Sequence, residues 1–469
     1  MDERSLENEN APRRHEDCEV RFLVDAHMIT RQTEKSIETR LVPKEKSVSL
    51  GQIFRACKLP YHYLLALLGA VFFGFPARKI EVIAVTGTKG KSSVVELVSA
   101  LLDEAGHKTA HASTIHFKIG DKKERNLHKM TMPGRFFLQH FLRRAVHAGC
   151  THAVIEMTSE GARQFRHKFM SLDTLIFTNL SPEHIESHGS YEKYVSAKVS
   201  IARALNTSWK KNKVLVVNRD DKEAEKFLKV FTGIKKEYGS ADAGGPVVTS
   251  EGVSFNWEGI RIESKLPGEF SLYNILAAIT YAKTAGISIE QIQSGIKKVT
   301  GILGRAQKIE VGSFDGAQGK QDFSAIVDYA HTPDSLEKFY QTYAGKFRIC
   351  VLGNTGGGRD TWKRPVMAGI AEKYCDEIIL TNEDPYDENP EQIIREMAAG
   401  MKNKQPTLIL DRRTAIRVAL TKASKGDAVL ITGKGTDPFI MGPDGSKEIW
   451  DDATIVREEL VKILGQQNH

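Results

Sequence analysis

Two glycines, a lysine and a serine lie close together in the stretch VIAVTGTKGKSS, residues 82–93. Gly87 and Gly90 permit a tight turn that a side chain would obstruct. In such a turn the backbone N–H groups face phosphate oxygens, Lys91 neutralises them, and the Ser92 hydroxyl is suited to ligate magnesium. The stretch therefore predicts binding of a nucleoside triphosphate with Mg²⁺. A chance turn before a helix is the alternative that so short a match leaves open.

Carboxylate and imidazole groups at two later points extend this chemistry. Glu156 directly follows an apolar run, where it is placed either to share the magnesium with the loop serine or to remain a solvated loop residue. His184 lies in an acidic stretch with Glu183, Glu186 and His188. That stretch is either a metal-facing loop or a helix N-terminus with favourable negative charge. Its spacing does not fit a tetrahedral zinc motif.

Short apolar strands that each end in a polar or glycine-rich cluster must position these groups. The strands are expected at residues 80–85, 153–155, 174–177 and 214–217, and again at 325–327, 349–352, 377–380 and 428–431. Helical stretches such as 93–105 lie between them. This alternation is typical of parallel sheets whose ligands bind outside the carboxyl ends of the strands. The predicted fold is α/β, with a P-loop-type central domain, a C-terminal Rossmann-like domain and a short N-terminal segment.

Composition limits the classes of function. The chain has 469 residues, which is enough for about three domains, and its 41% hydrophobic and 27% charged content is ordinary for a globular protein. A net charge of +7 without a long basic block argues against a nucleic-acid partner. The five cysteines are scattered without a CxxC pair, which favours a reducing cytoplasm and argues against a disulfide frame or a thiolate zinc site.

The N-terminal region differs from the rest of the chain. Residues 1–50 begin as a charged tail without the apolar core of a secretory signal. Residues 61–75, YHYLLALLGAVFFGF, are nearly all apolar but too few to span a membrane as a helix. One interpretation is a helix packed on the nucleotide domain. The other is an interfacial helix that makes peripheral contact with a membrane surface.

Ten motifs follow one another in an order that resembles the Mur ligase family, the ATP-dependent enzymes that add amino acids to the peptidoglycan precursor. They are TGTKGKSS, TMPG, EMTSEGARQFR, TNLSPEHIESHGSYEKYVSAK, PGEFSLYN, LGRAQKIE, VDYAHTPDSLE, GNTGGGRDTWKRP, TNEDPYDENP and ITGKGTD. They cover roughly residues 80–440. Within the family, the order is most similar to the ligase that adds a diamino acid as third residue to UDP-N-acetylmuramoyl-L-alanyl-D-glutamate.

The resemblance implies a role for individual residues. Those implied to bind ATP are Gly87, Thr88, Lys89, Gly90, Lys91, Ser92, Ser93, Asn274, Arg305 and Asp328. Those implied to act in catalysis are Lys91, His184, Lys198 and Arg305, and those implied to hold magnesium are Ser92, Glu156, His184 and Lys198. Lys198 would act as its carbamate, N6-carboxylysine. Without the resemblance, Lys198 is simply a lysine on the surface of a helix over residues 191–205.

The resemblance also implies the remaining substrate sites and the domain limits. Acceptor contacts are implied for Thr131, Thr158, Gln164 and Arg166, and amino-acid contacts for Arg359, Asp384, Tyr386, Gly433 and Asp437. The expected divisions are a tail over residues 1–50, an apolar helix over 51–78, an ATP-binding domain over 79–299 and an amino-acid-binding domain over 300–469. A hinge between the last two is expected near residues 300–303.

The sequence departs from the family pattern at several points. Members specific for diaminopimelate carry DNPR, whose arginine binds the second carboxylate, whereas this chain has Tyr386 there. Lysine or another diamine becomes the better candidate. Asp437 is the acid kept in GKGTD where the family has GKGHE, and Glu160 stands where histidine is common. The segment before residue 80 is also shorter than the family's own N-terminal domain.

The implied function is ATP-dependent ligation through an acyl phosphate, with small-molecule substrates, in the cytoplasm. A carboxylate of a UDP-MurNAc-peptide would be the acceptor, with ATP and Mg²⁺ required. One alternative is a related enzyme that extends a different carboxylate, such as a folate polyglutamate or an amino-acid polymer. Another is a nucleotide-binding scaffold without enzymatic activity, which would have no use for a metal-bridging lysine.

Overall fold

The computed structural model describes residues 50–183, 185–311, 321–358 and 360–466. It divides into two compact units, Met1–Lys58 and Leu59–His469. The tail expected over residues 1–50 lies, apart from the backbone of Leu50, outside the described residues. All of the sheets belong to the second unit.

The apolar segment forms a helix, α1 (Leu50–Phe72), which ends three residues before the expected run does. Its small residues Ala66 and Ala70 are buried. Tyr63 packs its ring edge-on at 5.7 Å from Phe165 and 5.2 Å from Phe169. The face of α1 that carries Tyr63, Ala66 and Ala70 is therefore packed on the nucleotide-binding part of the chain, as the first interpretation expected. Among the described residues, no helix is long and apolar enough to cross a membrane.

A sheet of eight strands occupies the centre of the second unit, in the order β4-β3-β2-β5-β1-β6-β7-β8. The strands are β1 (Glu81–Thr86), β2 (Thr109–Ala112), β3 (His116–Ile119), β4 (Lys122–Arg125), β5 (His152–Met157), β6 (Thr174–Phe177), β7 (Val214–Asn218) and β8 (Ile234–Tyr238). The six strands other than β3 and β4 are parallel, and β3 and β4 extend one edge as antiparallel neighbours. The parallel strands β1, β5, β6 and β7 are largely apolar and buried, consistent with helices on both faces, whereas the edge strand β8 (IKKEY) is mostly exposed.

The helices of this part are α2 (Lys91–Glu104), α3 (Arg135–His147), α4 (Ser159–Arg163), α5 (Ile185–His188), α6 (Tyr191–Asn206), α7 (Ala224–Lys229), α8 (Glu269–Thr284) and α9 (Ile289–Lys298). One buried cluster combines α2, α8 and α9 with one face of the sheet, and a second combines α3, α6 and α7 with the other face. A small antiparallel sheet of β9 (Gly244–Val248), β10 (Val253–Trp257) and β11 (Ile260–Ser264) precedes α8.

A second sheet of six strands follows, in the order β12-β13-β17-β14-β15-β16. Its strands are β12 (Gln307–Ile309), β13 (Ser324–Asp328), β14 (Arg348–Leu352), β15 (Glu377–Leu380), β16 (Thr407–Leu408) and β17 (Ala428–Thr432). The accompanying elements are α10 (Pro333–Thr342), α11 (Lys363–Tyr374), α12 (Pro390–Ala398), α13 (Arg412–Lys422), the hairpin β18 (Phe439–Met441) and β19 (Lys447–Ile449), and α14 (Asp452–Gln466). Only β12 is antiparallel to its neighbour in this sheet.

The predicted α/β class with two parallel sheets is confirmed. The strands expected at 174–177 and 377–380 have the predicted limits, and β1 begins and ends one residue later than expected. The others extend beyond the predicted limits by one or two residues at one or both ends. Helix α2 begins at Lys91, two residues earlier than expected. Lys91 and Ser92 therefore lie in its first turn, where free backbone N–H groups and the positive end of the helix dipole attract anions.

The structure contains a disulfide bond, although the scattered cysteines argued against a disulfide frame. Cys350 in β14 is bonded to Cys375, the residue after α11, with their Cα atoms 6.0 Å apart. The pairing was hidden because 25 residues separate the two cysteines, and only the return of the chain to β15, beside β14, brings them together. Cys150 is a buried free thiol.

Candidate functional site

The loop between β1 and α2 turns through two glycines with positive φ, Gly87 at 153° and Gly90 at 81°. A Cβ at Gly87 would overlap the Thr178 hydroxyl, and one at Gly90 would overlap the Asn274 amide. Both glycines are therefore required by the backbone and by close neighbours. Asn274, on α8, is consequently held directly beside the loop.

Four polar groups meet at the start of α2. Glu156, the penultimate residue of β5, is buried, and its Oε2 accepts a 2.8 Å hydrogen bond from Ser92 Oγ. The Thr114 backbone N–H donates to the same oxygen at 2.9 Å, and its hydroxyl lies 3.1 Å from both carboxylate oxygens. Lys91 Nζ is 3.8 Å from Glu156 Oε1 and donates at 2.9 Å to the Thr88 carbonyl. Sequence reasoning identified three of these residues and missed Thr114.

This donor set fits magnesium. Hydroxyl and carboxylate oxygens are the ligands that Mg²⁺ takes, and those of Ser92 and Glu156 are in contact. The Glu156 carboxylate is buried beside Lys91. A bound Mg²⁺, which also carries water and phosphate oxygens as ligands, would replace the hydrogen bonds of this carboxylate with stronger contacts. His184, the predicted second ligand, lies outside the described residues.

Lys198 points from α6 into the same site and is only 2% exposed, so the interpretation as a surface lysine is wrong. Its Nζ donates a 2.7 Å hydrogen bond to the Gly87 carbonyl. Burial lowers the pKa of the Lys198 ammonium well below its ordinary value, and the nearby charge of Lys91 lowers it further. Glu183 and Glu156 act in the opposite sense. A buried amine of this kind is readily deprotonated.

Lys89 connects the loop to the second sheet. Its Nζ donates to Glu183 Oε1 at 3.0 Å, and His331 Nε2 lies 3.3 Å from the same oxygen. Burial lowers the pKa of Lys89, and Glu183 opposes that effect. Burial also lowers the pKa of His331 to about 4, so the ring is neutral at pH 7. We call the group Lys89, Lys91, Ser92, Glu156 and Lys198 the phosphate edge.

Arg305 reaches the phosphate edge from the beginning of the second sheet. One guanidinium nitrogen lies 3.4 Å from Ser92 Oγ, and the group stacks 4.5 Å from the centre of the Tyr329 ring. Asp328 lies nearby at the end of β13. Its two carboxylate oxygens accept backbone hydrogen bonds of 2.6 Å from Ala306 and 2.7 Å from Ala330. The implied ribose contact of Asp328 must therefore use the remaining lone pairs, and it stays a prediction.

The four residues implied to bind the acceptor all lie in the described part of the chain. Thr131 Oγ1 is 2.8 Å from the Thr114 hydroxyl, which connects Thr131 to the magnesium ligands. Thr158 caps α4 by accepting from the Gly161 N–H at 3.1 Å. Gln164 Oε1 accepts from Arg166 at 2.7 Å. Their role in binding the acceptor stays a prediction.

Arg135 is a further cation at the acceptor side that sequence reasoning missed. Its Nε donates at 3.0 Å to the Gln164 carbonyl. Burial lowers the pKa of the Arg135 guanidinium to about 10, and the charge of Arg166 lowers it further. Burial likewise lowers the pKa of Arg166. Two partly desolvated guanidinium groups form a site suited to an anionic acceptor. Arg135 directly follows the TMPG motif, and this position could have identified it from the sequence as a residue of the acceptor side.

A second polar cluster lies at the carboxyl ends of β15 and β17. Asp384 is buried and accepts from Lys434 at 2.9 Å and from Lys129 at 2.8 Å. Asp437 lies 3.1 Å from Lys434 and 3.3 Å from Lys129. The Lys129 ammonium is also 5.8 Å from the centre of the Tyr386 ring. We call Lys129, Asp384, Tyr386, Lys434 and Asp437 the amino-acid edge.

Gly433 and Glu383 complete this cluster. A Cβ at Gly433, whose φ is 105°, would overlap the Glu383 carboxylate. Burial and the charge of Asp384 raise the pKa of Glu383. Arg359, also implied to contact the amino acid, lies outside the described residues. Lys129 and Lys434 were not predicted as site residues. The partner of Lys129, Asp384, is 255 positions away in the sequence.

Two parts of the chain match known families. Residues 85–282 match the Mur ligase middle domain, and residues 314–435 match the glutamate ligase domain of Mur ligases. The UDP-N-acetylmuramoyl-L-alanyl-D-glutamate--2,6-diaminopimelate ligase of Syntrophomonas wolfei is 37% identical over 412 residues, which cover 84% of this chain and 81% of the relative.

Solved structures give the same picture of the fold. A UDP-N-acetylmuramoyl-L-alanyl-D-glutamate--2,6-diaminopimelate ligase has a TM-score of 0.56 and 28% identity, covering 83% of this chain and 79% of its own. The folylpolyglutamate synthase of Mycobacterium tuberculosis, solved with ADP and AMPPCP, has a TM-score of 0.63 at 15% identity and covers 88% of this chain and 99% of its own. At that identity the second likeness concerns the fold alone.

Proposed function

The chain belongs to the Mur ligase family of ATP-dependent, ADP-forming amide ligases, and from that premise we propose that it adds a diamino acid to a UDP-MurNAc-peptide in peptidoglycan synthesis. The diaminopimelate ligase of Syntrophomonas wolfei, which is 37% identical, acts on UDP-N-acetylmuramoyl-L-alanyl-D-glutamate, and this supports the acceptor. The observation that carries the proposal is the convergence of Lys91, Ser92, Glu156 and Lys198 on one phosphate-binding turn. A scaffold that only binds nucleotide has no need for a buried lysine there.

The first proposed step activates the acceptor. A carboxylate oxygen of the acceptor attacks the γ-phosphorus of ATP, the bond to the bridging oxygen breaks, and ADP leaves with that electron pair. The products are an acyl phosphate and ADP. Lys91 and Arg305 offset the negative charge on the transferring oxygens, because both approach Ser92 at the start of α2. Arg135 and Arg166 orient the anionic acceptor from the opposite side.

The second proposed step forms the amide. The neutral amine of the amino acid attacks the acyl carbon, the carbon–oxygen bond to phosphate breaks, and inorganic phosphate leaves as the amine proton is lost. Water must be excluded between the steps because acyl phosphates hydrolyse readily. Arg125 contributes to closure by donating to Asp451 at 2.8 Å and to the Trp450 carbonyl at 2.9 Å. Lys129 adds a second bridge between the two sheets.

Mg²⁺ belongs to the family's chemistry and, when bound, neutralises phosphate charge and polarises the transferred group. Ser92 and Glu156 would hold it. We propose that Lys198 acts as its carbamate: the neutral amine attacks CO₂, a carbon–nitrogen bond forms, and one proton is released. The lowered pKa of Lys198 supports this proposal because only the unprotonated amine reacts. The carbamate would place negative charge beside the cations of the phosphate edge.

The amino-acid edge supports a diamine as the incoming substrate. The Lys129 ammonium lies between the carboxylates of Asp384 and Asp437 and faces the Tyr386 ring, which is the environment a substrate ammonium would need. No arginine stands at position 386 to bind a second carboxylate. We therefore propose L-lysine or a similar diamine in preference to diaminopimelate.

We also propose a role for each segment of the chain. Residues 79–299 would bind ATP and acceptor, residues 300–469 would bind the amino acid, and residues 300–303 would be the hinge. Residues 1–50 and 51–78 would be a separate tail and helix. Ile302 and Arg305 form an isolated antiparallel β-bridge at the proposed hinge. The Arg305 side chain reaches the phosphate edge from this bridge. We propose a cytoplasmic location because the reaction consumes ATP.

The experiment that tests this function supplies UDP-MurNAc-L-Ala-D-Glu, ATP and Mg²⁺ with one amino acid at a time and measures the mass of the acceptor. The expected product carries one added L-lysine or other diamino acid, with one ADP formed per amide. A Lys91→Ala variant should give no product. Product with folate monoglutamate and glutamate, but none with the UDP-sugar acceptor, would support the alternative of a different carboxylate. Absence of product with both acceptors would reject the proposal.

We also propose that α1 contacts a membrane surface through its exposed face. Tyr61, Leu64, Leu68, Val71 and Phe72 are exposed and share one side of the helix. A Leu64→Glu/Leu68→Glu variant should stop sedimenting with phosphatidylglycerol vesicles, whereas Ile449→Glu, at an exposed apolar residue elsewhere, should not change sedimentation. The proposal fails if the unmodified protein stays in the supernatant with vesicles present.

A further inference from the structure

A group of two histidines and a glutamate lies outside the site described above. Glu96 is on α2, one turn after Ser92, His111 is on β2, and His116 begins β3. In the antiparallel pairing, His111 is opposite Lys118, two residues from His116, so both histidines point to the same face of the sheet. Helix α2 brings Glu96 to that face.

The ligand atoms of this group converge. Glu96 Oε1 lies 3.2 Å from His111 Nε2 and 3.3 Å from His116 Nε2, and one atom from each of the three side chains lies within 4.8 Å of the others. The imidazole rings are edge to face with centres 4.7 Å apart. The His111 side chain is 1% exposed, that of His116 is 9% exposed and that of Glu96 is 14% exposed.

Apart from these contacts with one another, the polar atoms of the group have no partner in the described part of the chain. Both ring nitrogens of His111, both of His116 and Glu96 Oε1 are buried without a hydrogen-bond partner. Five such atoms in one place are unusual, because buried polar groups are normally satisfied. A cation bound between them would satisfy the two Nε2 atoms and the carboxylate oxygen together.

We propose that Glu96, His111 and His116 bind a divalent transition metal, best Zn²⁺. Imidazole nitrogen suits this class of metal, and a carboxylate completes a common ligand set. In a tetrahedral zinc site with bonds of 2.0–2.1 Å, neighbouring ligand atoms are about 3.3 Å apart. The two Glu96–histidine distances match that spacing. The fourth position is left to a water molecule on the partly exposed side of Glu96.

The site has a structural consequence for the phosphate edge. Thr114, between the two histidines in sequence, donates to Glu156, while Glu96 is on the helix that begins with Lys91 and Ser92. A bound metal would therefore link the β2–β3 hairpin to α2 and restrict the position of Thr114. Neither Nδ1 atom has a partner to orient its ring, so we expect weaker binding than at zinc sites with such support. The inference does not depend on the proposed ligase activity.

The test uses the full chain without a histidine tag, stripped with a chelator and kept in excess Mg²⁺ to occupy oxygen-rich sites. Zn²⁺ is titrated in competition with a chromophoric chelator, and Co²⁺ is added separately to record its visible absorption. We expect one Zn²⁺ per chain and the intense Co²⁺ bands of a tetrahedral site. Glu96→Gln and His116→Gln should each weaken binding by about 100-fold or more, since even indirect contacts to a metal are worth 10–100-fold.

His152→Gln is the matched control. His152 is also a buried strand histidine, with its Nε2 3.3 Å from Glu81. The His107 ring lies beside it, with centres 4.5 Å apart, but among the described residues these three side chains do not bring their ligand atoms together as Glu96, His111 and His116 do. That variant should bind Zn²⁺ as the unmodified chain does. Melting curves recorded in chelator should coincide for all variants that fold. The proposal is overturned if the unmodified chain binds no more Zn²⁺ than a Glu96→Gln/His116→Gln double variant, if His152→Gln loses as much affinity, or if tetrahedral Co²⁺ bands are absent.

Discussion

The phosphate edge and the amino-acid edge are built in the same way and charged differently. Each lies at the carboxyl ends of parallel strands. At the phosphate edge, Lys91 is 3.8 Å from the Glu156 carboxylate. The hydrogen bond that Lys198 makes within the described residues goes to the backbone carbonyl of Gly87. At the amino-acid edge, Lys129 and Lys434 each contact two carboxylates within 3.3 Å.

The difference follows the charge of the ligand that each edge would receive. A triphosphate brings its own negative charge, so cations can be held beside one another without carboxylate partners for each. An amino acid with a second amine brings positive charge that needs carboxylates. The same sheet architecture can therefore bind a negatively charged ligand at one edge and a positively charged group at the other. The difference comes from a few side chains after each strand.

The largest expected effect tests the phosphate edge. Lys198→Ala should lower kcat by about 10³-fold, because the carbamate that would help to hold magnesium at the phosphate edge is lost. A short carboxylic acid added to this variant should restore part of the activity by occupying the place of the carbamate. The comparison variant is Lys193→Ala, which changes an exposed lysine on the same helix and should remain active. Full activity of Lys198→Ala would remove the carbamate from the mechanism.

The disulfide distinguishes the second sheet from the first. Reduction of Cys350–Cys375 should lower the stability of the C-terminal part by about 3 kcal/mol, because the released 25-residue loop gains entropy when unfolded. The measurement is urea unfolding followed with and without a phosphine reductant, while binding of an ATP analogue reports on the first sheet. A Cys350→Ala/Cys375→Ala variant should lose the response to reductant. Equal stability of the oxidised and reduced protein would contradict the expectation.

A smaller effect concerns the stability of the protein at low pH. His167 is buried without a hydrogen bond to either ring nitrogen among the described residues, and burial lowers its pKa to about 3. Between pH 6.5 and 3 the unfolded chain binds a proton that the folded chain does not, so stability present above pH 6.5 is lost as the pH falls. The loss at pH 5 should be about 2 kcal/mol.

This acid sensitivity is measured by urea unfolding at pH 7 and pH 5. His167→Phe, which cannot bind the proton, should show a correspondingly smaller difference between the two pH values. His147→Gln, at an exposed histidine of α3, should keep the difference seen in the unmodified chain. If His167→Phe and the unmodified chain lose the same stability at pH 5, another group is responsible.

The smallest effect concerns the choice of amino acid. Tyr386→Arg should shift the ratio of kcat/KM for diaminopimelate over L-lysine by about 10-fold, because a guanidinium binds a second carboxylate in a forked geometry. Tyr386→Phe is the control and should leave the preference unchanged. An unchanged ratio in Tyr386→Arg would mean that residue 386 does not contact the distal end of the substrate.

Local patterns predicted the fold and much of the phosphate edge. A strand, a glycine turn and a lysine are contiguous in sequence, so Gly87, Gly90, Lys91 and Ser92 could be placed without a structure. The family resemblance then drew attention to Lys198. Its helix alone gave no sign that the side chain is buried, because burial depends on α6 packing beside the loop.

Contacts between distant segments could not be predicted. Lys129 reaches Asp384 across 255 positions of sequence, and Thr114 reaches Glu156 across 42. The Cys350–Cys375 bond likewise depends on how α11 returns to the sheet. Such pairings are set by the order of the strands and by the approach of the two sheets. Neither property leaves a periodic signal in the residues involved.

The path of one oxygen atom tests the central claim most directly. The acceptor UDP-MurNAc-L-Ala-D-Glu is prepared with ¹⁸O in its reacting carboxylate and incubated with ATP, Mg²⁺ and the amino acid, and the inorganic phosphate is analysed by mass spectrometry. If this carboxylate attacks the γ-phosphate held at Lys91, each amide formed should release one phosphate carrying one ¹⁸O atom. Amide formation with unlabelled phosphate would contradict the account.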